Sequence, residues 1–193
     1  MSRVTLIVTL AVVVASMMVL AVGSAVAKPD PGKDVYTQTV SGVQYAAIPP
    51  SDATGGVGIA RFRGAVSGDP AVVMDATLRY TGYPDENVTA EIVGGTWTIT
   101  GPDTSLTGTW RGGTAKWDEG AGYALVGPPG GPLVPVYAGV ADVKATMGVT
   151  GGTVEGVPVK GGSGKFEGLI DHHPLQEDPQ RPPTVSGDMT LKF

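Results

Sequence analysis

The chain has 193 residues, 13 Lys and Arg against 18 Asp and Glu for a net charge of −5, and no cysteine. An acidic balance with scattered cations argues against nucleic acid or an anionic lipid surface as a partner. Without cysteine there are no disulfides, so packing, hydrogen bonds or a bound ion must hold the fold.

In chain order, residues 1–27 read as an export signal. Arg3 supplies the positive charge, Val4 to Val22 is almost wholly apolar, and Gly23-Ser24-Ala25-Val26-Ala27 ends in an A-x-A cleavage pattern. The apolar run is long enough to span a membrane at about 20 residues. The small residues, followed by Lys28-Pro29-Asp30-Pro31-Gly32, favour cleavage after Ala27 over a retained anchor. A lipid-modified bacterial signal is excluded, since that chemistry needs a thiol. Cleavage leaves 166 residues with 12 basic and 18 acidic side chains, a net charge of −6. That length suits one domain with its own core. The expected organisation is a flexible lead over 28–34 and a single all-β domain over 35–193, with no membrane span after the signal. The expected location is secreted or in the cell envelope.

Beyond the signal, 29 glycines and 16 prolines leave few windows for a helix. Alternation with period two recurs instead. Val35–Ile48 and Val57–Val66 are the first candidate strands. In Ala71–Tyr80, the residues Val72, Met74, Ala76, Leu78 and Tyr80 share one face, opposite Asp75, Thr77 and Arg79. Val88, Ala90 and Ile92 alternate with Thr89 and Glu91. Thr96–Thr100, Leu106–Lys116 and Tyr123–Val126 follow, separated by turn sequences such as Pro84-Asp85-Glu86-Asn87 and Gly127–Pro132. Ala141, Val143, Ala145 and Met147 form another apolar face, and Met189, Leu191 and Phe193 the last. Short strands with one wet face predict an antiparallel β-barrel of about eight strands, with a β-sandwich as the alternative.

A G-G-[TS] pattern recurs in Gly94-Gly95-Thr96, Gly112-Gly113-Thr114, Gly151-Gly152-Thr153 and Gly161-Gly162-Ser163. The spacing is irregular, which argues against a solenoid repeat. The expectation is hairpin turns that need positive φ.

The last of these opens a glycine-rich stretch around Lys165. A phosphate loop G-x-x-x-x-G-K-[ST] fails, because Phe166 follows Gly164-Lys165 and Val159 stands where its first glycine belongs. The dinucleotide pattern G-x-G-x-x-G fails at Glu167. Gly161-Gly162-Ser163-Gly164-Lys165-Phe166-Glu167-Gly168 resembles instead the G-G-[TS]-G-[KR]-[FY]-x-G element shared by dirigent proteins, allene oxide cyclases and related bacterial secreted proteins. The resemblance covers only the C-terminal stretch. It implies an eight-stranded antiparallel barrel in which Gly168–Asp171 and Val185–Phe193 supply closing strands. Gly161, Gly162, Gly164, Phe166 and Gly168 read as a structural turn, with Phe166 as a plug at the barrel end. The catalytic and substrate-steering residues of those families match no position here, so a cyclase or coupling activity is not carried over.

Asp171, His172 and His173, near Glu177 and Asp178, offer metal-ligand types within a few residues. Adjacent residues in a strand face opposite ways, so both imidazoles reach one ion only in a loop. Pro174 and the polar run to Pro183 predict such a loop, and the alternative is an exposed histidine pair. These are the only histidines, so a three-histidine site is excluded. No G-x-S-x-G elbow and no D-x-D-x-D-G loop is present, and carboxylate pairs for glycoside cleavage have no specific support. Asn87-Val88-Thr89 fits a glycosylation sequon, read as chance in a chain with a bacterial type of signal.

Trp97, Trp110 and Trp117 are the candidate binding residues, since aromatic platforms stack on sugars. Trp97 and Ile99 share a face that reads as core, whereas Trp117-Asp118-Glu119-Gly120 reads as an exposed turn. The resulting expectation is an exported non-catalytic barrel, without a cofactor, that binds a small apolar ligand or an envelope glycan. The alternatives are a barrel enzyme of cyclase or isomerase type acting on a hydrophobic substrate, and a structural surface protein.

Overall fold

In the computed structural model, residues 35–127 and 131–193 are described. The predicted signal, the lead and residues 128–130 of the Gly127–Pro132 turn lie outside the described residues. The alternating segments form strands β1 (Val35–Ile48), β2 (Gly58–Val66), β3 (Asp69–Thr81), β4 (Thr89–Thr100), β5 (Ser105–Trp117), β6 (Tyr123–Val126), β7 (Val134–Tyr137), β8 (Val140–Val154), β9 (Val157–Val159), β10 (Gly162–Asp171) and β11 (Thr184–Lys192). One 3-10 turn, Asp52–Thr54, and one helical turn, α1 (Pro174–Glu177), are the only helical elements among the described residues.

Pairing runs β1-β2-β3-β4-β5-β8-β10-β11 and returns from β11 to β1, every pair antiparallel. The sheet is therefore a closed eight-stranded barrel, and the sandwich alternative is excluded. The connection between β5 and β8 carries the β6–β7 ribbon, and β9 folds back on the end of β8. Two pairings close the ring: Gly162–Asp171 on Val140–Val149, and Thr184–Lys192 on Val35–Val43.

The predicted apolar faces point inward. Met74, Ala76, Leu78 and Tyr80 on β3 are buried, as are Ala141, Val143, Ala145 and Met147 on β8 and Met189 and Leu191 on β11. Phe193 packs beside Tyr36, with ring centroids 6.4 Å apart. An eight-stranded barrel has an interior just wide enough for side chains to fill, and its middle and lower parts are filled in this way.

The paired glycines are not hairpin turns. Gly94-Gly95, Gly112-Gly113 and Gly151-Gly152 lie inside β4, β5 and β8, with φ between 134° and 151°. At each, the residue before the pair is an extra one in the ladder. Pairing jumps from Arg79↔Gly94 to Tyr80↔Ile92 past Val93, from Trp110↔Met147 to Gly112↔Thr146 past Arg111, and from Thr107↔Gly151 to Gly108↔Val149 past Thr150. These are β-bulges, and each flips which parity of residue faces inward. Ala90 and Ile92 are buried before the bulge in β4, and Trp97 and Ile99 after it. Without the extra residue, half of that strand would turn its apolar side chains to water. Glycine is required twice over: the φ is positive, and a Cβ at Gly95, Gly113 or Gly152 would strike the carbonyl oxygen of Thr77, Lys144 or Ser105.

The glycine-rich element Gly161–Gly168 also departs from expectation. Gly162 to Gly168 are strand β10 rather than a turn, and only Gly161, with φ 154°, stands at its entrance. Inward-facing Gly168 pairs with Gly187, and a Cβ on either would approach Phe166 Cζ at 2.9 and 2.7 Å. The Phe166 ring thus lies across two bare glycines and meets Trp110 edge-on at 6.1 Å. Phe166 fills the middle of the barrel instead of plugging its end.

The bulge requirement has a measurable consequence. Gly152→Ala combines strained φ with a backbone collision and is expected to cost more than about 3 kcal/mol or to prevent folding. Gly120→Ala, at φ 82° in open space, is expected to cost about 1 kcal/mol. Urea denaturation of the two variants compares them directly, and equal midpoints would refute the bulge argument.

Candidate functional site: a cavity at the barrel mouth

The lumen is plugged in its middle and open at one end. Around Met74, Trp110, Phe166 and Val143 only a void of about 40 Å³ remains. At the end where β1, β3, β5 and β10 finish, a cavity of about 530 Å³ opens. The difference follows from side-chain size: inward positions at this end include Ala60, Ala90 and Ala115, where the middle has methionine, phenylalanine and tryptophan. Phe62, Leu78, Val143 and Ile170 lie between the two spaces and line both or the larger one as its floor.

Tyr80, Ile92, Trp117 and His172 form walls, and the β6–β7 ribbon contributes Val134 and Val136. A proline-rich strap, Pro179-Gln180-Arg181-Pro182-Pro183, runs along the rim. It is tied at both ends. The Gln44 N–H donates to the Pro183 carbonyl at 2.9 Å, Arg181 pairs with Glu177, and Gln176 Nε2 donates to the Ala121 carbonyl. Leu175 of α1 seals the ribbon side by packing on Ala124 and Ala138.

His172 follows the last residue of β10 and turns into the barrel, 4% exposed. Its backbone is held at both ends: its N–H donates to the Gly139 carbonyl, and its carbonyl accepts from the Leu175 N–H, each at 3.0 Å. The imidazole stacks on Trp117 with centroids 4.7 Å apart and planes inclined by 27°. Burial pushes its pKa down to about 4, only partly opposed by the negative charge of Asp171. The ring is therefore neutral at physiological pH. His172 Nδ1 and Trp117 Nε1 have no hydrogen-bond partner among the described residues. Burial likewise raises the Tyr80 hydroxyl to about 12, with a smaller contribution from Tyr83, so this wall group stays protonated.

Trp117 is held on its other side by Tyr137, edge-on at 6.2 Å. The Tyr137 hydroxyl donates to the Asp118 carbonyl at 2.9 Å and accepts from the Ala121 N–H at 3.1 Å. The segment after β5 is thereby fixed against the ribbon.

The candidate metal constellation is not assembled. Alternation sends His172 inward and leaves His173 outside, where its Nδ1 lies 2.8 Å from Asp171 Oδ1. Among the described residues no three His, Cys, Asp or Glu side chains converge as metal ligands. The exposed histidine pair is corrected too, because only His173 is exposed. The loop expected after Pro174 begins instead with the helical turn α1.

The tryptophans form no exposed platform. Trp97 is 1%, Trp110 6% and Trp117 5% exposed. Trp97 is core, its Nε1 donating to the Thr109 carbonyl at 3.3 Å. Trp110 faces the small void, and Trp117, expected at an exposed turn, ends β5 as a wall of the large cavity. Of the sequence candidates, the mouth therefore brings together Trp117 and His172 alone. Tyr80 and the strap went unrecognised as site residues. Tyr80 reads as one more apolar-face residue, and the inward alanines that leave the space look like ordinary strand positions.

No protein-family model matches the chain, and no match is found to a curated protein or to a solved structure.

Burial of His172 makes stability depend on pH. The unfolded chain takes up this proton near pH 6.5, and the folded chain only near pH 4. Between those values the unfolded state binds more protons, so stability falls as the pH drops, by about 1.4 kcal/mol per unit for a single group. Urea melts from pH 7.5 to 4 are expected to show this decline, and His172→Phe is expected to flatten it. Parallel profiles for the two proteins would show that the imidazole is hydrated.

Proposed function

We propose that the protein is an exported, non-catalytic barrel module that binds a small, largely apolar molecule in the mouth cavity. The carrying observation is the cavity of about 530 Å³, which lies within the range of small-molecule sites and is lined mainly by apolar and aromatic side chains with a few polar groups. Export is supported by the A-x-A pattern after the apolar N-terminal run. Membership of the dirigent and allene oxide cyclase barrel superfamily is part of the same reading. It draws on the GGSGKFEG element and on its place in the strand that closes an eight-stranded barrel.

A cyclase- or isomerase-like enzyme would use the same cavity, but the walls supply it little. Among the described residues the His172 ring hydrogen-bonds to no acid, so no acid–base pair is formed there. Glycan binding loses its support with the burial of the three tryptophans. A purely structural surface role gives no reason for an open apolar mouth.

The test is titration with an apolar fluorophore, N-phenyl-1-naphthylamine. The expected result is saturable emission enhancement at one site per chain, with thermal stabilisation. At a concentration of about 100 Kd, the gain is about 2.7 kcal/mol. Ala60→Phe, placed to fill the cavity, is expected to weaken binding at least about tenfold while the barrel still melts cooperatively. Undiminished binding in that variant would locate the ligand elsewhere.

A further inference from the structure

The charge of this chain is unevenly placed on the barrel. Four segments bound the open end: 49–57 after β1, 82–88 after β3, 118–139 after β5 and 172–183 after β10. Each of them contributes residues to the lining of the mouth cavity. Together they carry seven aspartates and glutamates against one arginine, Arg181, and no lysine. The rest of residues 28–193 carries eleven acids and eleven lysines and arginines, so the whole excess of negative charge lies around the mouth.

Little of this charge is neutralised. Of the seven acids only Glu177 forms an ion pair among the described residues, and it does so with Arg181. Asp85 accepts from the Tyr123 hydroxyl and Asp118 from the Val140 N–H, bonds that leave both carboxylates charged. The cavity wall itself contains no acid, and its one lysine or arginine is the paired Arg181. Charges of one sign around a low-dielectric opening focus the field there and concentrate ions of the opposite sign. Tyr45 and Tyr83, 53% and 40% exposed, line the same cavity and offer aromatic rings, which attract a cation further. Deeper in, Phe62, Leu78, Val143 and Ile170 form an apolar floor where a charge of either sign would lose its water without a partner.

We infer that the ligand of the mouth cavity is a cationic amphiphile, with an apolar body that fills the cavity and an ammonium group that stays at the lip among the acidic loops. The cavity is the site, and the loops set the sign of the ligand's charge. This rests on the ligand-binding reading above, and the experiment separates the two. 2-Naphthylmethylamine, 2-naphthylmethanol and 2-naphthoate share one apolar skeleton and at pH 7.5 are positive, neutral and negative. Isothermal titration of the purified protein at about 0.01 M NaCl is expected to rank the amine about threefold to tenfold tighter than the alcohol, as exposed charge and cation–π attraction allow. Naphthoate is expected to be the weakest. At about 1 M NaCl, where the screening length drops from about 30 Å to about 3 Å, the amine's advantage over the alcohol is expected to shrink toward none.

Glu86 and Glu119 are exposed and lie outside the cavity lining. In the double variant Glu86→Lys, Glu119→Lys the amine's advantage at low salt is expected to fall below about twofold while the affinity for the alcohol holds. If that variant fails to fold, the ranking by the wild-type protein and its salt dependence still decide the ligand class. An alcohol as tight as the amine at low salt, naphthoate as the tightest, or an amine preference that salt leaves untouched overturns this inference and leaves the cavity as a binding site. If none of the three binds and N-phenyl-1-naphthylamine does not bind either, the ligand-binding reading itself falls.

Discussion

Closure of the sheet is the constraint on which the rest of this molecule depends. The pairings of β10 with β8 and of β11 with β1 join the ends of a meander and leave no free edge in the ring. A strand edge is otherwise a row of unpaired N–H and carbonyl groups. In a chain with no disulfide, closure supplies what a covalent staple would. It demands strong twist and coiling, and strands long enough to reach round. The three glycine bulges meet both needs, because each accentuates twist and lets a strand of 12 to 15 residues keep its apolar side chains inside along its whole length.

Closure also explains why the interior is part plug and part pocket. Eight strands enclose a lumen that large side chains can fill completely. Where Met74, Trp110 and Phe166 point inward, they do fill it. Where Ala60, Ala90 and Ala115 take the inward positions, the same wall leaves space that the strap and the β6–β7 ribbon roof but do not occupy. A buried, neutral imidazole stacked on an indole lies in the wall of that open end. The polar part of the cavity wall is thus small, an imidazole and an indole stacked on each other beside the Tyr80 side chain.

Much of the barrel was legible because alternation is a local property. Val35–Ile48 and Tyr123–Val126 coincide with β1 and β6, and the apolar faces read from β3, β8 and β11 are the buried ones. What escaped was mostly non-local. Val88–Ile92 and Thr96–Thr100 looked like separate strands because the parity of the apolar residues switches at Gly94-Gly95. Only the partner strand shows that the switch is a bulge within one strand. Gly164 and Gly168 looked like turn residues because their need for space comes from Leu191, Gly187 and Phe166, two of them on another strand. The sequence pointed to a loop at Asp171-His172-His173 and did not foretell that the two imidazoles face opposite ways. It could not tell that the inward side offered an indole to stack on, since Trp117 lies more than fifty positions earlier.

The sequence by itself determined an acidic, cysteine-free, all-β chain whose strands have one apolar and one polar face, since composition and period two require no partner to be read. Tertiary structure alone decided which glycines are bulges, that Trp110 and Trp117 turn inward, and that His172 and His173 part company. It alone decided, too, that one end of the barrel stays open. The physical reason is the same in each case. Burial and free volume are properties of the closed ring, set by which side chains meet across the lumen from strands far apart in the chain.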